Sequence, residues 1–226
     1  VSMVRKHRSE VVSVESRIPG TYTVAFSPSG KSFRYSPGQF LHLALDSGYD
    51  GSGQWPESRC FSMQSSPDEE NIRITYAVKG RFTQMMEQQL KAGCEVWLKL
   101  PYGDLFTRQH NKSGTVFIAG GTGITPFLSL FNHTSFKEYA DPHIYLGFRS
   151  AEYNIYDSEL NSVQHYAPEI FHENVDGPLN ISNIFSENGT DCDYFISGPP
   201  AMIKSFKNQL VSMGVPPGQV HSDDWE

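Results

Sequence analysis

Cysteine is scarce in this 226-residue chain: Cys60, Cys94 and Cys192 are its only three. They lie tens of residues apart, which excludes a disulfide scaffold, a zinc ribbon and a Cys-ligated iron–sulfur cluster carried by this chain alone. No run approaches the roughly 18 apolar residues of a membrane span. No apolar stretch follows the basic start Arg5-Lys6-His7-Arg8, so no secretory signal is recognisable. The reading is therefore cytoplasmic, and the four Asn-x-Ser/Thr sequons at Asn111, Asn132, Asn180 and Asn188 are taken as chance. Positive charge is short as well. The formal net charge is −7, which argues against a general nucleic-acid binder.

The deficit is uneven. Residues 1–110 carry 13 Lys+Arg against 11 Asp+Glu, a net +2, whereas residues 111–226 carry 5 against 14, a net −9. A charge step halfway along the chain suggests two domains, 1–110 and 111–226, with different partners. What is plentiful is apolar and aromatic: 38% hydrophobic residues, with 15 Phe and 11 Tyr, enough for real cores.

The first half reads as strands. Val11–Val14 and Tyr22–Phe26 flank Pro19-Gly20, and Gln39–Leu45 alternates with a period near two beyond Ser36-Pro37-Gly38. Arg59–Gln64, Ile72–Val78 and Glu95–Lys99 follow, giving about six short strands and a small antiparallel barrel. Residues 46–57 read as a surface loop. One helix, about Thr83–Leu90, is expected with Thr83 as its N-cap. The second half alternates strand and helix: strands at Thr115–Ala119, His143–Phe148, Glu169–Asn174 and Asp193–Ser197, helices from near Pro126, over Tyr156–His165 and over Ala201–Met213. That rhythm means an α/β, doubly wound parallel sheet.

Four constellations carry chemistry. Gly120-Gly121-Thr122-Gly123-Ile124-Thr125-Pro126 joins a buried strand to a helix, so backbone N–H groups and the helix N-terminus can meet an anion. It lacks the third glycine of the dinucleotide fingerprint. Arg59-Cys60-Phe61-Ser62 places a phosphate-pairing Arg, a stacking ring and a hydroxyl on one strand, a set that can serve a flavin. Tyr76-Ala77-Val78-Lys79-Gly80-Arg81-Phe82-Thr83 ends a strand at a second helix N-terminus suited to a diphosphate. Ser197-Gly198-Pro199-Pro200-Ala201-Met202 ends a late strand, where ligands of open α/β sheets sit. It can converge with the Gly123 turn.

Together, and in this order, these segments resemble the ferredoxin–NADP reductase superfamily, with its Arg-x-Tyr-Ser, Gly-Gly-x-Gly-x-Thr-Pro and Cys-Gly-Pro-x-x-Met motifs. Pro37-Gly38-Gln39-Phe40 and Pro101-Tyr102-Gly103-Asp104-Leu105-Phe106 match two further family segments. The resemblance implies an FAD-binding barrel followed by an NAD(P)-binding domain. Arg59 would pair a flavin phosphate, Phe61 stack on the isoalloxazine and Ser62 hydrogen-bond N5. Cys60 lies between them on the same strand. Gly80 to Thr83 would hold the pyrophosphate by backbone N–H groups and the Thr83 hydroxyl, with Tyr76, Ala77, Val78 and Lys79 leading into that turn. Thr122 would face the nicotinamide, and Gly120 to Pro126 the dinucleotide diphosphate, with Ser197, Gly198, Pro199 and Met202 closing the site.

Ser62, Thr122 and Ser197 are thus the residues expected at the hydride step. Ser197 departs from the family's Cys, Leu100 from its Gly, and Trp225 stands near where relatives carry a terminal aromatic. Arg149, ending the second strand of the nucleotide domain and assisted by Lys204 and Lys207, suits the 2′-phosphate of NADPH, with NADH possible. The implied activity is hydride transfer from NAD(P)H to FAD, then electron transfer to a separate ferredoxin-like or haem-protein acceptor. The alternative is a flavin-holding electron-relay or redox-sensing subunit with weak nicotinamide turnover.

Overall fold

The computed structural model describes residues 3–46 and 48–223, which fall into two compact units, Val1–Asp104 and Leu105–Glu226. Trp225 lies outside the described residues.

The first unit contains β1 (Arg5–Ile18), β2 (Thr21–Pro28), β3 (Phe40–Ala44), β4 (Ser58–Ser62), β5 (Ile72–Ala77), helix α1 (Arg81–Gln89) and β6 (Glu95–Tyr102). The strands pair antiparallel in the order β4-β3-β6-β1-β2-β5. Period-two alternation sends Leu41 and Leu43 into the core and leaves Phe40 and His42 outside it. The core joins them to Val24, Phe26, Ile74 and Met86 of α1. The two edge strands approach one another: Gln64 N–H donates to Arg73 O at 2.8 Å, and the Phe61 and Tyr76 rings meet edge-on at 6.1 Å. The sheet therefore curls toward a barrel, which leaves little open strand edge.

A buried polar string fixes the segment after β4. Thr23 and Thr75 share a hydroxyl contact of 2.8 Å, Thr75 donates to Gln64 Oε1 at 2.5 Å, and the Tyr35 hydroxyl meets Ser65 and Ser66. Every member has a partner, as burial demands. The 46–57 segment is less loose than its composition suggests. Trp97 Nε1 donates to Tyr49 O and Trp55 Nε1 to the Ser58 hydroxyl, both at 2.9 Å.

Two details differ from expectation. β1 is far longer than Val11–Val14, because register shifts at Val11/Ser13 and Ser16/Ile18 break its alternation. Helix α1 begins at Arg81, with Gly80 as its N-cap in extended conformation, so Thr83 is three residues inside. Its hydroxyl still reaches back, accepting from Lys79 N–H at 2.9 Å and Gly80 N–H at 3.1 Å.

The second unit contains β7 (Thr115–Gly120), α2 (Thr125–Phe131), β8 (His143–Phe148), α3 (Asp157–Leu160), β9 (Glu169–His172), α4 (Glu173–Asp176), α5 (Ile181–Asn188), β10 (Asp193–Ser197), α6 (Pro200–Ser212) and β11 (Val220–Ser222). All five strands are parallel, in the order β11-β10-β7-β8-β9. Phe117 and Ala119 of β7 face the α2 side, while Val116 and Ile118 face α5 and α6. The sheet is thus covered on both faces, as a parallel sheet requires. The chain builds outward from β7 through β8 to β9, then crosses back to β10, so the topological switch lies between β7 and β10.

Here too the sequence reading needs correction. The expected Tyr156–His165 helix is α3 followed by a 3-10 stretch, Asn161–Tyr166, which stops at left-handed Ala167 before Pro168. The expected Glu169–Asn174 strand ends at His172, whose N–H is taken by Asp176 Oδ2 at 2.8 Å as the chain turns into α4. Helix α5 and strand β11 were not anticipated. Asn180, read only as a sequon, caps α5 by accepting from Ser182 and Asn183 N–H.

The segment entering β7 is pinned by aromatics and one imidazole. Phe106 packs among Phe117, Phe127 and Phe195. His110 Nδ1 lies 2.7 Å from Arg108 O, which makes it the donor and leaves Nε2 to accept from the Tyr139 hydroxyl at 2.7 Å. Burial is the main cause that holds His110 below its ordinary value of 6.5, and His221 and Lys112 push the same way against the pull of Arg108 O and Asp193. The unfolded chain binds that proton more readily, so the stabilisation from His110 is complete above pH 6.5 and drains as pH falls below it. His7 and His42 are shifted in the same direction. A comparison isolates the residue: between pH 7.5 and 5.5 the urea midpoint of wild type should fall more steeply than that of His110→Phe. Parallel curves would show that His110 carries no such linkage.

Candidate functional site

In the first unit, β4 and the N-terminus of α1 bring two guanidinium groups to one place. Arg59 leaves β4 exposed, donates to Ser58 O at 2.8 Å and lies over the Phe82 ring at 5.2 Å. Arg59 Nη2 is 3.4 Å from Glu57 Oε1, and Arg81 Nη2 is 3.7 Å from Glu57 Oε2. Two cations thus converge on a single carboxylate beside a helix whose first-turn N–H groups have no intrahelical acceptor. A Cβ built on Gly80 meets nothing within 4 Å, so the approach to that helix end is open. Glu57 was not singled out in the sequence; only the β3–β4 pairing and the placement of α1 bring it between the two arginines.

An aromatic wall continues from there. Phe61 is half-buried and edge-on to Tyr76, which stacks on Tyr22 at 5.6 Å, and the Tyr22 hydroxyl donates to Glu87 at 2.7 Å. The Tyr76 hydroxyl is buried with no hydrogen-bond partner, and burial pushes its pKa up. A neutral, buried, unsatisfied hydroxyl is costly unless a ligand atom meets it. Ser62 is buried at the end of β4. Ala77 and Val78 are half-buried, and Lys79 is exposed beside Gly80. Cys60 is not brought into this group. Alternation turns it to the opposite side of β4, where its Sγ lies 3.6 Å from the His42 ring and burial raises its pKa.

An anion between Arg59 and Arg81, a ring on Phe61 and a polar atom at Tyr76 form a donor set that fits an aromatic nucleotide of the flavin kind. Arg59, Phe61, Tyr76 and the Gly80–Thr83 turn would hold it; Ser62, the last residue of β4 and paired with Phe40, alternates with Cys60 rather than Phe61 and would reach the group only from the strand's end.

In the second unit, two glycine turns interlock. Gly120 ends β7, Gly121 takes a positive φ of 55°, and Gly123 approaches the next turn so closely that a Cβ on it would lie 2.4 Å from Gly198 Cα. A Cβ on Gly120 would meet Met202 Sδ at 3.0 Å and Pro199 Cδ at 3.1 Å. The two turns end neighbouring strands at the switch between β7 and β10. Thr125 and Pro126 are buried in the first turn of α2, with the Thr125 hydroxyl donating to Thr122 O at 3.0 Å, while Thr122 itself is half-buried. Ser197 is 2% exposed, and its hydroxyl lies 3.5 Å from Asp223 Oδ2.

Arg149 stands exposed at the end of β8 over the Tyr153 ring at 6.0 Å, with no carboxylate in ion-pair distance among the described residues. Lys204 is exposed, but Lys207 is engaged by the Ser222 hydroxyl at 2.9 Å. The glycine turns are lined by backbone and small side chains, which suits a diphosphate.

The family described as oxidoreductase NAD-binding domain matches residues 117–208. The chain is 25% identical, over 95% of its length, to the ferredoxin--NAD(P)(+) reductase component of the naphthalene 1,2-dioxygenase system of Pseudomonas putida, of which it covers 71%. It is 24% identical, over 96% of its length, to the reductase component of propane 2-monooxygenase from Rhodococcus jostii, of which it covers 62%. The chain thus spans roughly two thirds of the length of these relatives. The crystal structure of a ferredoxin NADP+ reductase from Neisseria gonorrhoeae with bound FAD and NADP matches with a TM-score of 0.79 at 19% identity, over 96% of this chain and 98% of that one.

The two glycines make opposite predictions. Gly123→Ala should lower stability by about 1–3 kcal/mol, because its Cβ meets backbone that cannot yield. Gly80→Ala, in extended backbone with open space, should stay within about 0.5 kcal/mol of wild type. Urea denaturation followed by circular dichroism reads both, and equal effects would contradict the interlock.

Proposed function

The chain belongs to the ferredoxin–NADP reductase-like superfamily, and on that basis we propose that it is an FAD-dependent oxidoreductase, oxidising NAD(P)H and passing electrons to a separate protein acceptor. The observation that carries the proposal is the Gly123–Gly198 interlock, at the switch point where doubly wound sheets bind dinucleotides. The first unit takes FAD and the second takes the nicotinamide nucleotide. Bound FAD supplies a centre that accepts a hydride and gives electrons up singly.

The chain's own residues bind, orient and neutralise. Arg59 and Arg81 exchange their shared carboxylate for the flavin pyrophosphate, a better match to a planar guanidinium fork. The N–H groups of α1's first turn add to that charge. Phe61 would stack on the flavin ring, and Ser62, from the strand's end, would offer a hydroxyl to N5. A polar atom of the flavin would give the orphaned Tyr76 hydroxyl a partner. In the second unit, the Gly120–Gly123 turn receives the dinucleotide diphosphate by backbone N–H groups, and Thr122 and Ser197 flank the nicotinamide. Arg149 suits a 2′-phosphate, which favours NADPH over NADH. No residue is required to move a proton in the hydride step.

The acceptor is a ferredoxin-like iron–sulfur protein, with a haem protein as the other class the chemistry admits. The net +2 of residues 1–110 suits an acidic carrier. The preparation should be yellow, or become so on adding FAD, and Arg59→Ala should weaken FAD binding by about tenfold or more. With NADPH present, it should reduce an acidic [2Fe–2S] ferredoxin at a rate that falls as salt rises, and an uncharged quinone at a rate that does not. A protein that stays colourless after incubation with FAD contradicts the proposal.

A further inference from the structure

The second unit holds a buried carboxylate–imidazole hydrogen bond that none of the nucleotide contacts uses. Asp193 opens β10 and is 4% exposed; His221, in β11, is 8% exposed. Asp193 Oδ1 is 2.5 Å from His221 Nε2, and Oδ2 accepts the Asn111 N–H at 2.9 Å. The His221 ring stacks on Phe195, 4.5 Å between centroids and 18° between planes. A buried carboxylate with both oxygens occupied is expensive to assemble and costly to disturb.

Its position gives it a use. β11 is only three residues long and lies at the edge of the sheet, paired with β10 alone. So short a strand has little ladder with which to fix its own register. It runs from the His221 end of that hydrogen bond directly to Asp223, whose N–H donates to Ile196 O at 3.1 Å and whose Oδ2 lies 3.5 Å from the Ser197 hydroxyl. A slip of one residue along β10 would carry that carboxylate about 3.3 Å away and turn it to the other face.

We propose that Asp193 and His221 are positioning residues for the nicotinamide end of the site: their pair sets the register of β11 and so holds the Asp223 carboxylate on the Ser197 hydroxyl. The role rests on the assignment of Ser197 to the nicotinamide, made above. It reaches that hydroxyl from Asp193, at the opposite end of β10, with β11 as the connecting element.

Three readouts on the full FAD-loaded chain test it: hydrogen exchange of residues 220–223, the limiting rate of flavin bleaching by NADPH in a stopped-flow instrument, and the NADPH concentration at half that rate. His221→Phe keeps the ring on Phe195 and removes the N–H. It should speed exchange in β11 and lower the limiting rate about ten- to hundredfold, with the half-saturating concentration changed by less than about threefold. Asp193→Asn has one acceptor oxygen for the two donors, Asn111 N–H and His221 Nε2, so it should also speed exchange in β11 and lower the limiting rate, by less than His221→Phe.

If His221→Phe does not fold, Asp193→Leu/His221→Leu buries no charge and should show the same loss of limiting rate. A wild-type limiting rate in a variant whose β11 exchanges faster overturns the positioning role, as does undisturbed exchange in His221→Phe. A wild type that binds FAD but is bleached by neither NADPH nor NADH overturns the proposed function itself, and this role with it.

Discussion

The close approach of Gly123 to Gly198 is the constraint on which the second unit depends. Two turns, from strands far apart in sequence, meet so closely that neither backbone leaves room for a Cβ. The contact requires β7 and β10 to be neighbours, which requires the chain to cross the sheet after β9, which in turn requires helices on both faces. The aromatic core around Phe117 and Phe195 and the aliphatic core around Ile203 and Leu210 fill those two faces. What results is an anion cradle made of backbone. On the proposed reading, such a cradle would let a half-chain with net charge −9 receive a diphosphate, because oriented N–H groups act at contact distance while the carboxylates act through screened solvent.

The first unit reaches a similar end by other means. Its cradle is built from side chains, Arg59 and Arg81 around Glu57, with a helix end behind them and an orphaned tyrosine hydroxyl beside them. Glu57 lies between the two arginines, and on the proposed reading a phosphate would take its place. The buried Thr23–Thr75–Gln64 string and the Tyr35 contacts hold the segment after β4, so the strand that carries Arg59, Phe61 and Ser62 cannot drift. Geometry here comes from saturated hydrogen bonds beneath the site rather than from the site residues themselves.

Much of this was legible in the sequence, because glycine turns, a capped helix start and an Arg-x-Phe-Ser strand are local patterns with local physical causes. The illegible parts are those fixed by partners distant in the chain. Bulges hid the length of β1. A three-residue strand such as β11 has no periodicity to read, and Asn180 looked like a sequon until the helix it caps was seen. Thr83 was placed at the wrong helical position because Gly80 can cap in extended conformation, yet its hydroxyl serves the same donors. Cys60 shows the limit of reading a motif as a line of letters: its neighbours Arg59 and Phe61 face one way and it faces His42 on the other. Glu57, Asp193 and His221 gave no signal, since each matters only through a residue that folding brings to it.

On the proposed reading, nicotinamide delivers a hydride directly to flavin held by this chain. The most direct test is anaerobic stopped-flow bleaching of the FAD-loaded protein with NADPH and with NADPH deuterated at C4, followed by the same pair for NADH. The account predicts rapid bleaching that slows with one C4 deuterium epimer and not with the other, because a fixed site presents one face of the ring. Bleaching insensitive to deuterium on both faces, or no bleaching by either nucleotide, would contradict it.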